Sequence, residues 1–463
     1  MTNNALHPVG RNQETGNEFL FGTDGIRGEA RNLLKGNLIK EVGYCTHYVL
    51  PKKGPILIGQ DSRESSGQIV SELSAGLMAN GRDVFTIGLC PTPTIPHLIK
   101  SIDAAGGLMV SASHNPPKDN GIKIFDSNGE KISSDKQKFL EASLQKRIAF
   151  DETLTLGNAY SRNDLLKDYK ESLLGTVRID SLNKIPIVLD LCWGSATACG
   201  KEIFTALGAK VICINSQPNG RKINVNCGST NLSDIKKAVQ ETNSQMGFAF
   251  DGDADRVIAI DKKGRVLDGD HILYLWGSNL QEKAILPKQR LVATMMSNLG
   301  FEKAWVKRGG VLERTAVGDK YVHETMLKTQ ASLGGEQSGH ILTKINGLCG
   351  DGLLTALQLA NMCNEKGIEL SDWLDESFTP YPQRLINIPL APHIKDSFTT
   401  KSESFQSIIK KAQLELGNEG RIFIRKSGTE SLLRVMIESQ DSQLVEEWAH
   451  KISKTASEEI SKM

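Results

Sequence analysis

No uncharged apolar stretch in this chain approaches the ~20 residues that a membrane-spanning helix needs, so no membrane segment is expected. No C-x-x-C pair occurs among its cysteines (Cys45, Cys90, Cys192, Cys199, Cys213, Cys227, Cys349 and Cys363), which are scattered, several of them in apolar runs such as residues 211–214. That spacing argues against a zinc site and fits reduced, mostly buried thiols in a cytosolic protein. An excess of either charge is missing too, with 55 Lys plus Arg against 54 Asp plus Glu. So balanced a chain has no global pull toward nucleic acid or an anionic membrane, and any anion must be held by a local cluster. Residues 1–16 are polar and Asn-rich, lack the apolar run of a signal peptide and the Arg-rich pattern of a transit peptide, and read as a disordered tail. Low-complexity tracts and short-period repeats are also absent.

What is present is length and a repeating alternation. At 463 residues the chain exceeds what one core usually serves, and domains of ~100–200 residues make it three or four. Runs rich in β-branched residues at 55–59, 83–87 and 107–110 alternate with helical patterns at 66–80 and 94–102, which predicts stacked β-α units. The alternation restarts at 185–190, with a helix at 198–207 and strands at 210–214 and 246–250, and restarts again at 290–294. Prolines at 380 and 382 then interrupt helix and strand alike. Beyond them, a helix at 405–416, strands at 421–425 and 432–438 and a helix from Ser442 predict a small α+β unit. The expected division is 17–163, 164–263, 264–380 and 381–463.

Four clusters carry candidate chemistry. Residues 111–123, S-A-S-H-N-P-P-K-D-N-G-I-K, follow a buried strand and read as a loop in which Ser113 is a nucleophile or phosphoryl carrier, with His114 beside it and Lys123 returning to the same pocket. An ordinary polar turn is the other reading. Asp251, Asp253 and Asp255 alternate in a Gly-containing loop directly after an apolar strand. Three such carboxylates repel one another unless a hard cation sits among them, and Mg²⁺ suits oxygen ligands. An EF-hand is excluded, because its glycine position falls on Arg256 and its final glutamate on Lys262. D-A-D-R-V at 253–257 also resembles the D-x-D-x-V signature of haloacid-dehalogenase-type phosphatases, which would make Asp253 the nucleophile. Residues 334–340, G-G-E-Q-S-G-H, present Glu336, Ser338 and His340; a carboxylate and a hydroxyl together can pair with vicinal sugar hydroxyls. Residues 425–430, R-K-S-G-T-E, combine Arg425 with Ser427, Gly428 and Thr429, the parts of a phosphate cradle between two strands. A fifth, glycine-spaced loop at 21–28 offers Arg27. A nucleophile, a metal loop, a polyol loop and a phosphate loop suit one task, phosphoryl transfer on a sugar phosphate.

With F-G-T-D-G-I-R-G, S-A-S-H-N-P, D-G-D-A-D-R, G-E-Q-S-G-H and R-x-S-G-T-E in that order, the sequence from about Phe19 onward resembles the α-D-phosphohexomutase family. The resemblance implies three related α/β/α domains with mixed sheets and a fourth α+β domain, heart-shaped around a central cleft. It also implies that Ser113 is the phosphoserine, and that Mg²⁺ binds its phosphate together with Asp251, Asp253 and Asp255. Lys123 and Arg27 would assist proton transfer and transition-state charge, with His114 and Arg256 nearby. Glu336 and Ser338 would hold the sugar, His340 would line the cleft, and Arg425, Ser427, Gly428 and Thr429 would grip the other phosphate. Gln337, residues 218–224 (P-N-G-R-K-I-N) leading to 227–230, and residues 315–319 (T-A-V-G-D) are most similar to the phosphoglucosamine mutases. Members of that subgroup commonly carry proline where this chain has Lys426 and Ser431, which bears on the rigidity of the phosphate loop. The implied reaction interconverts glucosamine 6-phosphate and glucosamine 1-phosphate in the cytoplasm, with a hexosamine 1,6-bisphosphate as activator and intermediate. The implied partner is a small-molecule sugar phosphate, with neither nucleic acid nor membrane; a homodimer is compatible. Closure of the last domain about Pro380 and Pro382 is expected, because water must be excluded from a phosphoserine. A phosphatase acting through Asp253 and an idle sugar-phosphate sensor remain the rival readings.

Overall fold

The computed structural model describes residues 21–22, 25–50, 52–145, 155–345, 347–390, 402–426 and 432–461; the tail expected at 1–16 and the residues Ser427, Gly428 and Thr429 lie outside them. Four sheets follow one another along the chain. The first has seven strands in the order Phe21–Gly22, Gly25–Glu29, Asp119–Phe125, Gly106–Val110, Ile56–Gln60, Val84–Leu89, Ala159–Ser161. It is mixed: Ile56–Gln60 runs parallel to both neighbours, whereas Asp119–Phe125 returns antiparallel to Gly106–Val110. The second has five strands, Val266–Leu267, Val257–Asp261, Met246–Phe250, Pro186–Asp190, Lys210–Ile214. The third has four, Val311–Thr315, Arg290–Thr294, Leu333–Gly335, Ile341–Thr343, and the last has three antiparallel strands, Gln383–Pro389, Leu432–Ser439, Gly420–Lys426.

Strand residues alternate between two cores, as the pleat requires. In the first sheet Ile56 and Ile58 join one buried cluster with Leu73 and Leu77, while Leu57 joins another with Ile95 and Ile99 on the opposite face. The second and third sheets are likewise covered on both faces, and their inner faces share one continuous core running from Tyr169 to Phe378. The helix Gly352–Lys366 is buried along most of its length inside that shared core, so these two sheets are welded rather than merely adjacent. Trp305 and Phe301 are fully buried there, and truncating either to alanine costs about 3–5 kcal/mol. The last sheet has one core, under the helices Glu403–Leu416 and Ser442–Ser461. Three α/β/α layers and a two-layer α+β unit result, a four-domain α/β fold.

The strands expected at 210–214, 246–250 and 290–294 lie where periodicity placed them. One expectation is corrected. Residues 111–123 are not a single loop, because Ile122, Ile124 and Phe125 find buried positions beside the preceding strand and pull Asp119–Phe125 into the sheet. Lys123 therefore projects from a rigid strand.

The last unit meets the third through polar contacts. Arg421 donates to Met295 O at 2.9 Å and Ser297 O at 2.5 Å and pairs with the fully buried Glu438 at 2.6 Å. Glu438 in turn accepts from the backbone N of Leu299 at 3.0 Å.

Candidate active site

The strands Gly106–Val110 and Met246–Phe250 are buried at every position, and each ends in a loop that carries charge. Burial leaves the loops as the first places where polar side chains can collect, at the strand ends where α/β folds place their sites. The two loops meet. Ser113 is fully buried, with a left-handed φ of 51° that disfavours a residue bearing a Cβ. Its Oγ donates to Asp251 Oδ2 at 2.5 Å, and its backbone N donates to Ser111 Oγ at 2.9 Å. His114 Nδ1 lies 3.3 Å from the same Oγ. Burial, then the nearby Arg256 and Arg27, push the His114 imidazole down to about 4, so it is neutral at physiological pH and both arginines lie within its electrostatic reach.

The ligand atoms of Asp251, Asp253 and Asp255 lie within 4.8 Å of one another, and all three residues are buried. Lys123 Nζ reaches across from the first sheet to Asp253 Oδ2 at 2.8 Å and Asp255 Oδ2 at 2.6 Å. Thr92 Oγ1 donates to Asp253 Oδ2 at 2.5 Å, a second tie between the units. Two oxygens are left over. Asp253 Oδ1 is buried with no hydrogen-bond partner among the described residues, and Asp255 Oδ1 has only the longer approaches of His340 Nδ1 at 3.5 Å and Arg256 Nε at 3.9 Å. Burial, reinforced by Asp255 and Asp253, pushes the Asp251 carboxyl up to about 8. Burial would raise Asp255 as well, but Lys123 and His340 hold it well below the ordinary carboxylate range. Unanswered buried oxygens in a repelling trio are what a hard cation would satisfy, so these residues fit a metal ion.

His340 is buried, 4% exposed, with Nε2 3.4 Å from Asp319 Oδ2 as well as Nδ1 3.5 Å from Asp255 Oδ1. Burial opposes its charge, but Asp255 and Asp319 outweigh burial and push the imidazole up to about 10. Asp319 also pairs with Lys131 of the first unit. Glu336, Gln337 and Ser338 line a cavity of about 320 Å³ with Thr294, Met296 and Val317. Glu336 Oε1 accepts from the backbone N of Gly318 at 3.1 Å, and burial raises its carboxyl. Gly269 lets this turn sit down, since a Cβ there would fall 1.9 Å from Glu336 O. Arg425 stands near the end of the strand Gly420–Lys426; burial and Arg434 lower its basicity while Glu336 of the third unit opposes them, so that carboxylate lies within the electrostatic reach of the arginine.

Sequence reasoning assigned no task to Arg63, Thr92, Lys131, Asp319 or Asn224, although Asn224 and Asp319 sat inside stretches it noted. Arg63 had a usable signal, because Asp61-Ser62-Arg63 follows the buried strand Ile56–Gln60 just as Ser113 follows its own strand.

Four family models match in order: phosphoglucomutase/phosphomannomutase alpha/beta/alpha domain I over residues 18–149, domain II over 167–264, domain III over 268–381, and the C-terminal domain over 385–455. A phosphoglucosamine mutase of Prochlorococcus marinus is 60% identical over 459 residues, covering 99% of each chain. One from a Synechococcus is 50% identical over 461 residues, again covering 99% of each. Among solved structures, a phosphoglucomutase/phosphomannomutase family protein from Burkholderia thailandensis superposes with a TM-score of 0.77 at 20% identity, over 94% of this chain and 97% of that one. The N-acetylphosphoglucosamine mutase of Aspergillus fumigatus, in complex with GlcNAc-6P and magnesium, gives 0.67 at 18% identity, over 94% and 95%. These two structures share the fold, and full-length identity of this order shows more: the chain belongs to the phosphoglucomutase/phosphomannomutase family, in the branch of the phosphoglucosamine mutases.

Proposed function

We propose that this chain interconverts glucosamine 6-phosphate and glucosamine 1-phosphate through phosphorylated Ser113 and a 1,6-bisphosphate, supplying cytoplasmic amino-sugar nucleotide synthesis. The observation that carries the reading is the 2.5 Å contact of Ser113 Oγ with Asp251, in a chain whose relatives of that name match it end to end. Ser113 gives its phosphoryl group to O1 or O6 of the bound monophosphate. The Oγ–P bond breaks as the sugar O–P bond forms, and the hydroxyl proton ends on Ser113 Oγ. The bisphosphate turns over in the cleft, and the second half-reaction returns the other phosphoryl group to Ser113, so the cycle is balanced.

Asp251, Asp253 and Asp255 hold Mg²⁺ in this reading, and the ion when bound offsets charge on the transferring group. Lys123, held between Asp253 and Asp255, brings a cation to the same place, with Arg27 and Arg256 near His114. Glu336 and Ser338 pair with sugar hydroxyls, His340 braces Asp255, and Arg425 with Ser427, Gly428 and Thr429 grips the phosphate that is not reacting. Two grips suit a substrate that is phosphorylated at both ends during the cycle. The test incubates the protein with Mg²⁺, a trace of hexose 1,6-bisphosphate and, in parallel, the 6-phosphates of glucosamine, glucose and mannose, following the 1-phosphates by phosphorus NMR. A wide lead for glucosamine supports the assignment. A lead for another sugar leaves only the mutase class, and release of inorganic phosphate alone favours the phosphatase.

A further inference from the structure

The stretch P-N-G-R-K-I-N at 218–224 has no task in the reaction just described, yet its last residue reaches the nucleophile. Asn224, itself at a left-handed φ of 60°, donates Nδ2 to Ser113 O at 2.8 Å and to Asn115 O at 3.0 Å. The same two carbonyls accept from Arg63 Nη2, at 2.9 and 2.8 Å. Each carbonyl therefore accepts twice, from an arginine beside the first sheet and from an asparagine beside the second. Both donors are oriented. Arg63, its side chain fully buried, also donates Nη1 to Pro116 O at 2.5 Å and Asp119 O at 2.9 Å, and Nε to Asp61 Oδ2 at 2.9 Å. Asp61 accepts from Ser111 Oγ at 2.7 Å, and that hydroxyl accepts the Ser113 N–H, closing the circuit. The Asn224 amide is turned by Cys192 Sγ, which donates to its Oδ1 at 3.1 Å. Gly252 of the aspartate loop completes the packing, since a Cβ there would fall 2.6 Å from Ser113 O and 2.9 Å from Asn224 Nδ2.

We propose that Arg63 and Asn224 are positioning residues for phosphoryl transfer: from two domains they hold the carbonyls of Ser113 and Asn115, so that Ser113 keeps its left-handed backbone and aims Oγ at Asp251 in both half-reactions. The inference rests on the mutase reading. A carrier serine must give up and retake a phosphoryl group in the same geometry every turnover, and misplacement of even 1 Å costs rate. Neither side chain contacts Ser113 Oγ; both act through the loop backbone. The five-donor guanidinium fork serves four carbonyls and the Asp61 carboxylate at once, more partners than the three donors of an ammonium can meet.

The test compares Arg63→Lys and the isosteric Asn224→Asp, which turns a donor into an acceptor facing two carbonyls, with the unaltered protein. Circular dichroism and thermal unfolding confirm folding, and the assay reads kcat, KM and the ratio of inorganic phosphate to sugar 1-phosphate formed. The expected result for both variants is a kcat lower by about 10- to 100-fold with KM changed by less than about threefold, and a larger hydrolytic share, because a loosened phosphoserine loses more of its phosphoryl groups to water. A risen KM with kcat intact, or activity lost only in proportion to folded protein with the hydrolytic share unchanged, overturns the inference. Should the unaltered protein form no sugar 1-phosphate in this assay, the mutase reading itself fails.

Discussion

Around Ser113 the reacting groups are buried and tied across domains, with Lys123 and Thr92 of the first unit bonded to aspartates of the second. Around Glu336 the groups line a cavity, Ser338 is exposed, and the arginine within electrostatic reach, Arg425, belongs to a unit docked by polar contacts. The contrast suits what the proposed reaction would ask of each end. Transfer needs a dry, preset geometry in which charges are not screened by water. A grip that must accept either phosphate of a sugar turning over in place needs room and a joint that can open.

The largest expected break in this contrast is Ser113→Ala. It should lower mutase turnover by at least about 10³-fold while leaving the affinity for glucosamine 6-phosphate within about threefold, measured by phosphorus NMR and calorimetry, because the grip is built elsewhere. Next is the joint. Arg421→Ala leaves Glu438 as a buried unpaired charge and should cost about 3–5 kcal/mol of docking of the last unit, seen as an early separate transition in scanning calorimetry with KM raised. A smaller effect, confined to the Glu336 end, is expected of Gly269→Ala, whose Cβ collides with Glu336 O; KM should rise about tenfold, as a strain of 1–2 kcal/mol implies, with Mg²⁺ affinity unchanged.

The seam between the second and third sheets offers a pH test. Burial pushes the Asp351 carboxyl up to about 7, where it caps the helix Gly352–Lys366 and accepts from Tyr169 OH at 3.1 Å. A raised carboxyl means that the folded chain binds a proton the unfolded chain has lost, so this contribution to stability is present at lower pH and declines as pH rises through about 7. The unfolding midpoint should therefore drop less between about pH 6 and pH 8.5 in Asp351→Asn than in the unaltered chain. The smallest effect belongs to Arg221→Ala. Arg221 pairs with Glu64 at 2.5 Å with both side chains exposed, and its loss should change stability by no more than about 0.5 kcal/mol in denaturant titration. A large effect there would show that the loop at 218–224 depends on surface charge and not on Asn224.

Much of this arrangement was legible one element at a time. Apolar runs marked the strands at 246–250 and 290–294 because burial on both faces leaves a continuous hydrophobic signature, and 210–214 carries the same kind of run at a sheet edge, where its residues are half-buried or exposed. The alternating aspartates marked a buried trio that could hold a metal ion, because three carboxylates so close repel one another whatever lies around them. The strand Asp119–Phe125 was hidden behind the turn formers Asn115, Pro116 and Pro117, whose local preference outweighed the shorter apolar signal after them.

By itself, then, the sequence determined which groups could react and what each would attract, because nucleophilicity, charge and ligand hardness are properties of side chains and of spacings of a few residues. Tertiary structure alone decided which of them meet. The pairing of Ser113 with Asp251, of Lys123 with Asp253 and Asp255, and of Arg63 and Asn224 on the same carbonyls joins residues 50 to 138 positions apart. Such contacts exist only because burying the faces of separate sheets brings their strand ends to one place, and no local pattern records where another sheet will end.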